Sequence, residues 1–312
     1  MDITYLLWLQ DFRISINDAL TPFMEGISLF GITYIYLLPA IVYWCFNKRN
    51  GLYVCASLSV SLLLNPVIKM TACVYRPWIR DSRIIPAGDA IATAGGYSFP
   101  SGHTMTVTPI YGGLAVIAAK SGKKLACLIW VVLVLLTMFS RNYLGVHTPQ
   151  DVLVGVTVSA LSLYVVAKIF RYIDAHREQE NMFLLVGFLL GVAALVYTRM
   201  KSYPMDYVDG KLLVDPEKMK LSGVSDISLI FGLTLGRYIE KRWIKFRPEG
   251  LNFKTIILGA IGLAIMAFMI DNLKNFTVSV AGDFYGCIAS GFITMFYVVA
   301  VWPAVMKVFS RK

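Results

Sequence analysis

The chain has 312 residues, of which 57% are hydrophobic and only 15% charged, with a net charge of +10. A soluble protein of this length carries about 25% charged residues. Together with a mean hydropathy of +0.65, this composition excludes an ordinary soluble enzyme and fits an integral membrane protein. The apolar residues come in blocks close to the ~20 needed to cross a bilayer as a helix. The polar-in, apolar-out alternation of a membrane barrel is absent. The expected fold class is all-α, a polytopic helical membrane protein.

In chain order, residues 1–26 come first. The stretch DITYLLWLQDFRISINDAL has apolar residues on one helical face and charges on the other, which predicts a helix lying in the membrane interface. A signal peptide is the poorer reading, because the start is acidic and the apolar run is short. Nine spans follow, at about 27–47, 51–68, 104–119, 124–141, 150–170, 182–199, 222–238, 253–270 and 284–307, with ends uncertain by about 2–4 residues. The seventh is the weakest, diluted by Asp226 and several glycines. Two connections are long enough to build something, 69–103 and 200–221.

Lysine and arginine set the orientation. With the N-terminus outside, the inside connections hold 17 of the 29 cations and only five of the 19 acids. Among these cations are Lys48, Arg49, Lys120, Arg177, Arg237, Arg247, Arg311 and Lys312. The basic balance is therefore a topology signal, and no nucleic-acid surface is expected, since the aromatics lie in the spans and not beside the basic runs. The five cysteines form no CxxC pair and read as small apolar fillers. Neither GxxxxGK nor HExxH occurs.

Three polar clusters reach one membrane face, the outer one. KMTACVYRP places Lys69 and Arg76 seven apart and fixes the chain with Pro77. The same connection closes on PSGH, Pro100 to His103, just before an apolar run. Two crossings later the chain returns as SRNYLGVHTPQD, with Arg141, His147 and Asp151. The set is three cations, two imidazoles, one carboxylate and a Ser-Gly turn at a helix start. Phosphoryl transfer without a metal needs such a set: cations to neutralise phosphate oxygens, amides of Ser101, Gly102 and His103 as oxyanion donors, and a glycine that lets the backbone approach. One histidine attacks phosphorus and the other protonates the leaving oxygen. Asp151, one turn after His147, can orient that imidazole. Taken singly, each residue has a plainer reading. Lys69 and Arg76 can be snorkelling anchors, Ser101 an N-cap and Asp151 a capping-box acid after Thr148-Pro149. His176 reads as a solvated surface residue. The convergence on one face favours the joint reading.

The patterns K-x6-RP, PSGH and SR-x5-H-x3-D resemble the three-part signature of the type 2 phosphatidic acid phosphatase superfamily. That family includes lipid phosphate phosphatases, undecaprenyl diphosphate phosphatases, sphingosine phosphate phosphatases and glucose-6-phosphatase, and vanadium haloperoxidases share its site. The resemblance covers about residues 27–172. It implies a phosphatase core there, with His147 as nucleophile oriented by Asp151, and His103 as acid for the leaving group. It further implies that Lys69, Arg76, Ser101, Gly102 and Arg141 bind phosphate, with no metal and no cofactor.

Residues 182–312 carry no motif and are expected to form a C-terminal membrane extension. The outer segment KSYPMDYVDGKLLVDPEKMK, with Asp226 after it, is a lid or a solvated loop. The expected protein is a phosphatase of the plasma membrane. Its active site faces outward, its C-terminus lies in the cytoplasm, and its partners are a phosphorylated lipid, isoprenoid or glycerolipid, and the bilayer. The alternatives are a sugar-phosphate hydrolase, a catalytically silent lipid binder or transporter, and a haloperoxidase.

Overall fold

In the computed structural model, residues 2–208 and 210–310 are described. Met1 of the expected interfacial helix, Asp209 of the outer segment, and the inside cations Arg311 and Lys312 lie outside the described residues. The regular secondary structure of the described residues is helical apart from one two-stranded ribbon, β1 (Tyr207–Val208) with β2 (Lys211–Leu212).

The first helix, α1 (Asp2–Ser15), buries Leu6 and Leu9 and leaves Trp8 and Phe12 exposed. It stops where Asn17 and Asp18 take left-handed backbone, a conformation these two side chains tolerate. Helix α2 (Thr21–Phe30) follows, so the segment expected as one interfacial helix over 1–26 holds α1 and the start of α2. The span expected at 27–47 is also broken. Residues 31–36 form turns, then come α3 (Leu37–Ile41) and a π-helical stretch, Val42–Phe46. The physical reason is Pro39, which has no N–H to donate to the carbonyl of Ile35.

Helix α4 (Lys48–Ala72) carries Lys69 in its last turn, and α5 (Pro77–Arg80) is a single turn. Next come α6 (Gly102–Val107), a π stretch at Thr108–Gly112 around Pro109, and α7 (Gly113–Lys120). The long helices α8 (Lys124–Tyr143), α9 (Pro149–Ala175), α10 (Glu180–Met200) and α11 (Pro216–Ile239) follow. The last, α12 (Phe253–Phe296), contains Gly282 at φ 75°, ψ 172°, and there the chain turns back on itself. Thr277 Oγ1 donates to Gly286 O at 2.8 Å, and Tyr297 OH to Gly262 O at 3.0 Å. The two arms are therefore antiparallel, and the second continues into α13 (Trp302–Ser310).

Among the described residues five stretches are long and apolar enough to cross a membrane: Lys48–Arg80, Lys124–Tyr143, Pro149–Ala175, Arg177–Met200 and Phe253–Phe309. The expected nine do not all meet that measure, for identifiable reasons. Leu37–Phe46 is short, residues 102–120 are interrupted at Pro109, and the last two expected spans lie on the two arms of one stretch. Helix α11 carries Glu217, Lys218, Lys220 and Asp226. Yet α11 is the centre of the C-terminal half, packed against α4, α10 and α12. Small residues allow this. A Cβ on Gly232 would lie 2.2 Å from the carbonyl oxygen of Phe292, and one on Gly291 2.1 Å from that of Ser225. Close backbone approach of this kind replaces the hydrophobic drive that helices lack in lipid.

The polar residues gather at the two ends of the bundle. One end holds Lys69, Arg76, His103, Arg141 and His147. The other is cross-linked by Lys48 with Glu240, Arg49 with Asp174, and Arg237 with both Glu180 and Glu240.

Candidate active site

The site is built from the chain ends that meet at the first pole. Helix α4 terminates where Cys73 adopts left-handed backbone and donates its N–H to Lys69 O. The chain then runs extended to Arg76, as a residue before proline must. Lys69 is buried, and its ammonium donates to three carbonyls of the loop before α6: Tyr97 at 3.0 Å, Ser98 at 3.4 Å and Pro100 at 2.8 Å. Arg76, also buried, donates to Gly95 O, Gly96 O and Val146 O at 3.0–3.1 Å. Neither side chain snorkels; both clamp loops inside the protein.

Ser101 is the N-cap of α6, its Oγ accepting from Thr104 N. Its own N–H donates to Asp151 O at 3.0 Å, so it is not free to act as an oxyanion donor, contrary to the sequence-based expectation. The reason is that α6 and α9 start side by side, and the Asp151 carbonyl takes that amide. Gly102 and His103 begin α6, where N–H groups have no intrahelical acceptor. His103 is buried and its Nε2 has no protein partner.

Thr148, Pro149 and Asp151 open α9 with a complete capping box. Asp151 does more than cap. Its Oδ2 accepts from Thr148 N at 2.8 Å and from Ser98 Oγ at 2.5 Å, and faces His147 Nδ1 at 3.3 Å. On the other side of the ring, Arg76 Nη1 donates to His147 Nε2 at 2.9 Å. The tautomer that satisfies both neighbours is neutral, with its proton on Nδ1 and a lone pair on Nε2. Burial first, then the cations of Arg76, Arg141 and Lys69, hold the His147 pKa well below the ordinary histidine value. The imidazole is therefore unprotonated at neutral pH.

Arg141 is fully buried at the end of α8. One guanidinium nitrogen bonds Ser28 Oγ on α2, while Nε and Nη2 have no protein partner. The pole thus brings together all eight expected residues: Lys69, Arg76, Ser101, Gly102, His103, Arg141, His147 and Asp151. It places three buried cations around one carboxylate, with unpartnered donors on Arg141. Such a cluster suits a tetrahedral oxyanion of two charges.

Three contributors were not singled out from the sequence. Ser98 holds Asp151, Asn142 Nδ2 donates to His147 O at 2.8 Å, and Ser28 orients Arg141. Ser98 and Asn142 are polar residues beside the motifs, and that adjacency was the available signal. Ser28 lies 113 positions from Arg141 and carries no local signal. The C-terminal half also reaches the site. Met219 packs where a Cβ on Gly96 would lie, 1.7 Å from its sulfur, and Tyr75 OH donates to Asp206 Oδ2 at 2.5 Å. Asp226 lies half-buried on α11, within the fields of Lys274 and Lys69. His176 sits at the opposite pole, stacked on Tyr172 at 4.3 Å.

A helical membrane-type bundle with a buried histidine–aspartate pair among three cations defines a phosphate-handling class of site. Residues 50–175 match the family model described as the PAP2 superfamily. The chain is 28% identical over 171 residues to phosphatidylglycerophosphatase B of Bacillus subtilis, covering 53% of this chain and 80% of that protein. It is 27% identical over 202 residues to a "Probable sphingosine-1-phosphate phosphatase" of Dictyostelium discoideum, covering 61% and 46%. It is 25% identical over 139 residues to an undecaprenyl-diphosphatase of Sulfolobus acidocaldarius, covering 44% and 64%. The match spans less than two thirds of the length of the second and third relatives. No solved structure matches the chain.

Proposed function

We propose that the chain is a membrane phosphatase that hydrolyses a lipid phosphate or diphosphate, isoprenoid or glycerolipid, through a phosphohistidine on His147. The observation that carries this reading is the pair of contacts on one ring: Asp151 at Nδ1 and Arg76 at Nε2. They aim a neutral nitrogen lone pair into a cluster of buried cations. The names of the three relatives, all phosphatases of membrane-lipid substrates, support the same class.

In this mechanism the phosphate binds Arg141, Arg76 and the first amides of α6. Nε2 attacks phosphorus, and the bond to the lipid oxygen breaks as His103, which takes up a proton when the anionic phosphate binds beside it, passes that proton to the leaving oxygen. Asp151 steadies the positive charge that develops on His147. His103 then takes a proton from water, whose oxygen attacks phosphorus and breaks the P–N bond. Inorganic phosphate leaves and His147 is restored.

Purified full chain is expected to release phosphate from isoprenoid or glycerolipid phosphates. Activity should be complete in EDTA and strongly inhibited by vanadate. Three cations around one carboxylate repel a divalent ion, whereas vanadate can mimic the five-coordinate transition state. Activity lost on chelation and restored by Mg²⁺ would overturn the mechanism. Release from glucose 6-phosphate alone would replace the substrate class.

The proposed arrangement has nine membrane-crossing rods in a plasma membrane. The site faces the non-cytoplasmic side and the other, cation-rich pole faces the cytoplasm. In intact cells carrying a variant without native cysteines, Asp89→Cys should react with a membrane-impermeant maleimide. Ser121→Cys should react only after lysis. The opposite pattern would invert the topology and leave the chemistry untouched.

A further inference from the structure

The pole opposite the active site holds a second concave surface that the hydrolysis does not use. A cavity of about 610 Å³ is lined by Lys48, Arg49, Arg237 and Lys241, together with Arg177, Lys245 and Arg247. The first four are tied to carboxylates of the surrounding wall. Lys48 meets Glu240 at 2.5 Å, Arg49 pairs with Asp174, and Arg237 meets Glu180 at 2.7 Å and Glu240 at 2.6 Å. Lys241 meets Glu180 at 3.0 Å. Arg177, Lys245 and Arg247 are exposed and have no carboxylate partner among the described residues. Seven cations thus face three carboxylates, and the basin has a strong excess of positive charge.

The basin opens into an apolar groove. Arg49 and Arg237 line both. From them the groove runs along the bundle between α4, α9, α10 and α11, floored by Ala56 and Val60 on α4, Leu184 and Leu190 on α10, and Ile230 and Leu233 on α11. A cationic mouth continuous with an apolar trough at bilayer depth is complementary to a molecule with an anionic head and a hydrocarbon chain. It is not complementary to a free anion, which would leave the trough unfilled. Basic pockets between helices bind anionic headgroups in this manner.

We propose that this surface is a non-catalytic binding site for an anionic phospholipid of the leaflet at that pole. The headgroup phosphate sits among Arg177, Lys245, Arg247 and the mouth arginines, and one acyl chain lies in the groove. The lipid bridges α4, α9, α10 and α11, the elements that join the motif-bearing half to the C-terminal half. This rests on the reading of the chain as bilayer-spanning, and does not depend on which side that pole faces.

The test uses the full chain in neutral detergent, offered equal amounts of phosphatidylserine and phosphatidylcholine and examined by native mass spectrometry. Phosphatidylserine is a phosphodiester, so hydrolysis of phosphate monoesters does not consume it. The wild type is expected to retain phosphatidylserine over phosphatidylcholine. The double variant Arg177→Glu with Arg247→Glu changes only exposed side chains. It should lose that preference by about tenfold or more, since each cation near a lipid surface contributes roughly a factor of five. Ala56→Phe, which fills the groove and leaves every cation, should also lower retention while melting near the wild-type temperature. Inorganic phosphate at millimolar concentration should not compete. Equal retention of the two lipids, retention unchanged in the double variant, or full competition by inorganic phosphate would each overturn the proposal. The double variant should hydrolyse lipid phosphate in neutral detergent at the wild-type rate. A loss of that activity would place the lipid in the catalytic site instead, and would overturn the second-site proposal while leaving the phosphatase reading intact.

Discussion

Replacing His147 by alanine is expected to lower phosphate release by about 10⁴-fold or more, the scale seen when a covalent nucleophile is removed. The lone pair at Nε2 has no substitute in the pole. His103 is the other imidazole, and it is not paired with a carboxylate there. Brief exposure of the native enzyme to substrate, followed by denaturing quench, should leave an acid-labile phosphate on His147. The fold should survive the change, because Asp151 keeps Ser98 Oγ and Thr148 N as donors, so its carboxylate is not stranded. Unfolding temperature and kcat measured on the same preparation check this. An alanine variant with near-native turnover would remove His147 from the nucleophile role.

Arg141→Ala is the second large effect, about 10³-fold in kcat or more, by comparison with arginines that stabilise transferring phosphoryl groups. Arg141 is fully buried with Nε and Nη2 unpartnered by protein, so its donors are free for the phosphate. Arg141→Lys should recover little, because a point charge does not reproduce a planar pair of donors. Stability should move in the opposite direction. Arg76, Lys69 and Arg141 share one buried region with the carboxylate Asp151, and removing one cation relieves repulsion and desolvation. The alanine variant is therefore expected to melt at or above the wild-type temperature when no phosphate is present, and to lose the stabilisation that added vanadate gives the wild type. A variant that is both active within about tenfold and less stable would make Arg141 a structural residue.

Most of the residues that gather at the pole were legible along the chain because each motif is local. Lys69 and Arg76, the run from Pro100 to His103, and Arg141 with His147 and Asp151 each sit within one helix end and its adjoining turn. A residue's distance from a helix end is visible in sequence. The capping box at Thr148 and Asp151 was equally visible, since capping depends on a spacing of three.

Legibility ended where a contact depends on packing. Hydropathy suggested an unbroken span at 27–47, and the hydrogen bond that Pro39 removes breaks it. The opposite error was made for α11, which looked marginal because of its charges and glycines, yet Gly232 lets Phe292 of α12 approach its backbone, Gly291 of α12 does the same for Ser225, and α11 is central. The Ser101 amide looked like an oxyanion donor because helix starts have free N–H groups. Only the adjacency of α6 and α9 shows that Asp151 O accepts it.

By itself the sequence determined the helical class of fold and picked out the polar residues that meet at one pole, because these follow from composition, period and short spacing. Tertiary structure decided how those groups are paired: Lys69 turned onto loop carbonyls, Arg76 set against His147, and Arg141 left with open donors beside Ser28. It also decided that the C-terminal half touches the site through Met219 and Asp206, and that the cations of the far pole close around a cavity. The physical reason is that donor and acceptor valences are filled by whichever partners packing brings within about 3 Å, and no spacing along the chain encodes partners that lie tens of residues apart.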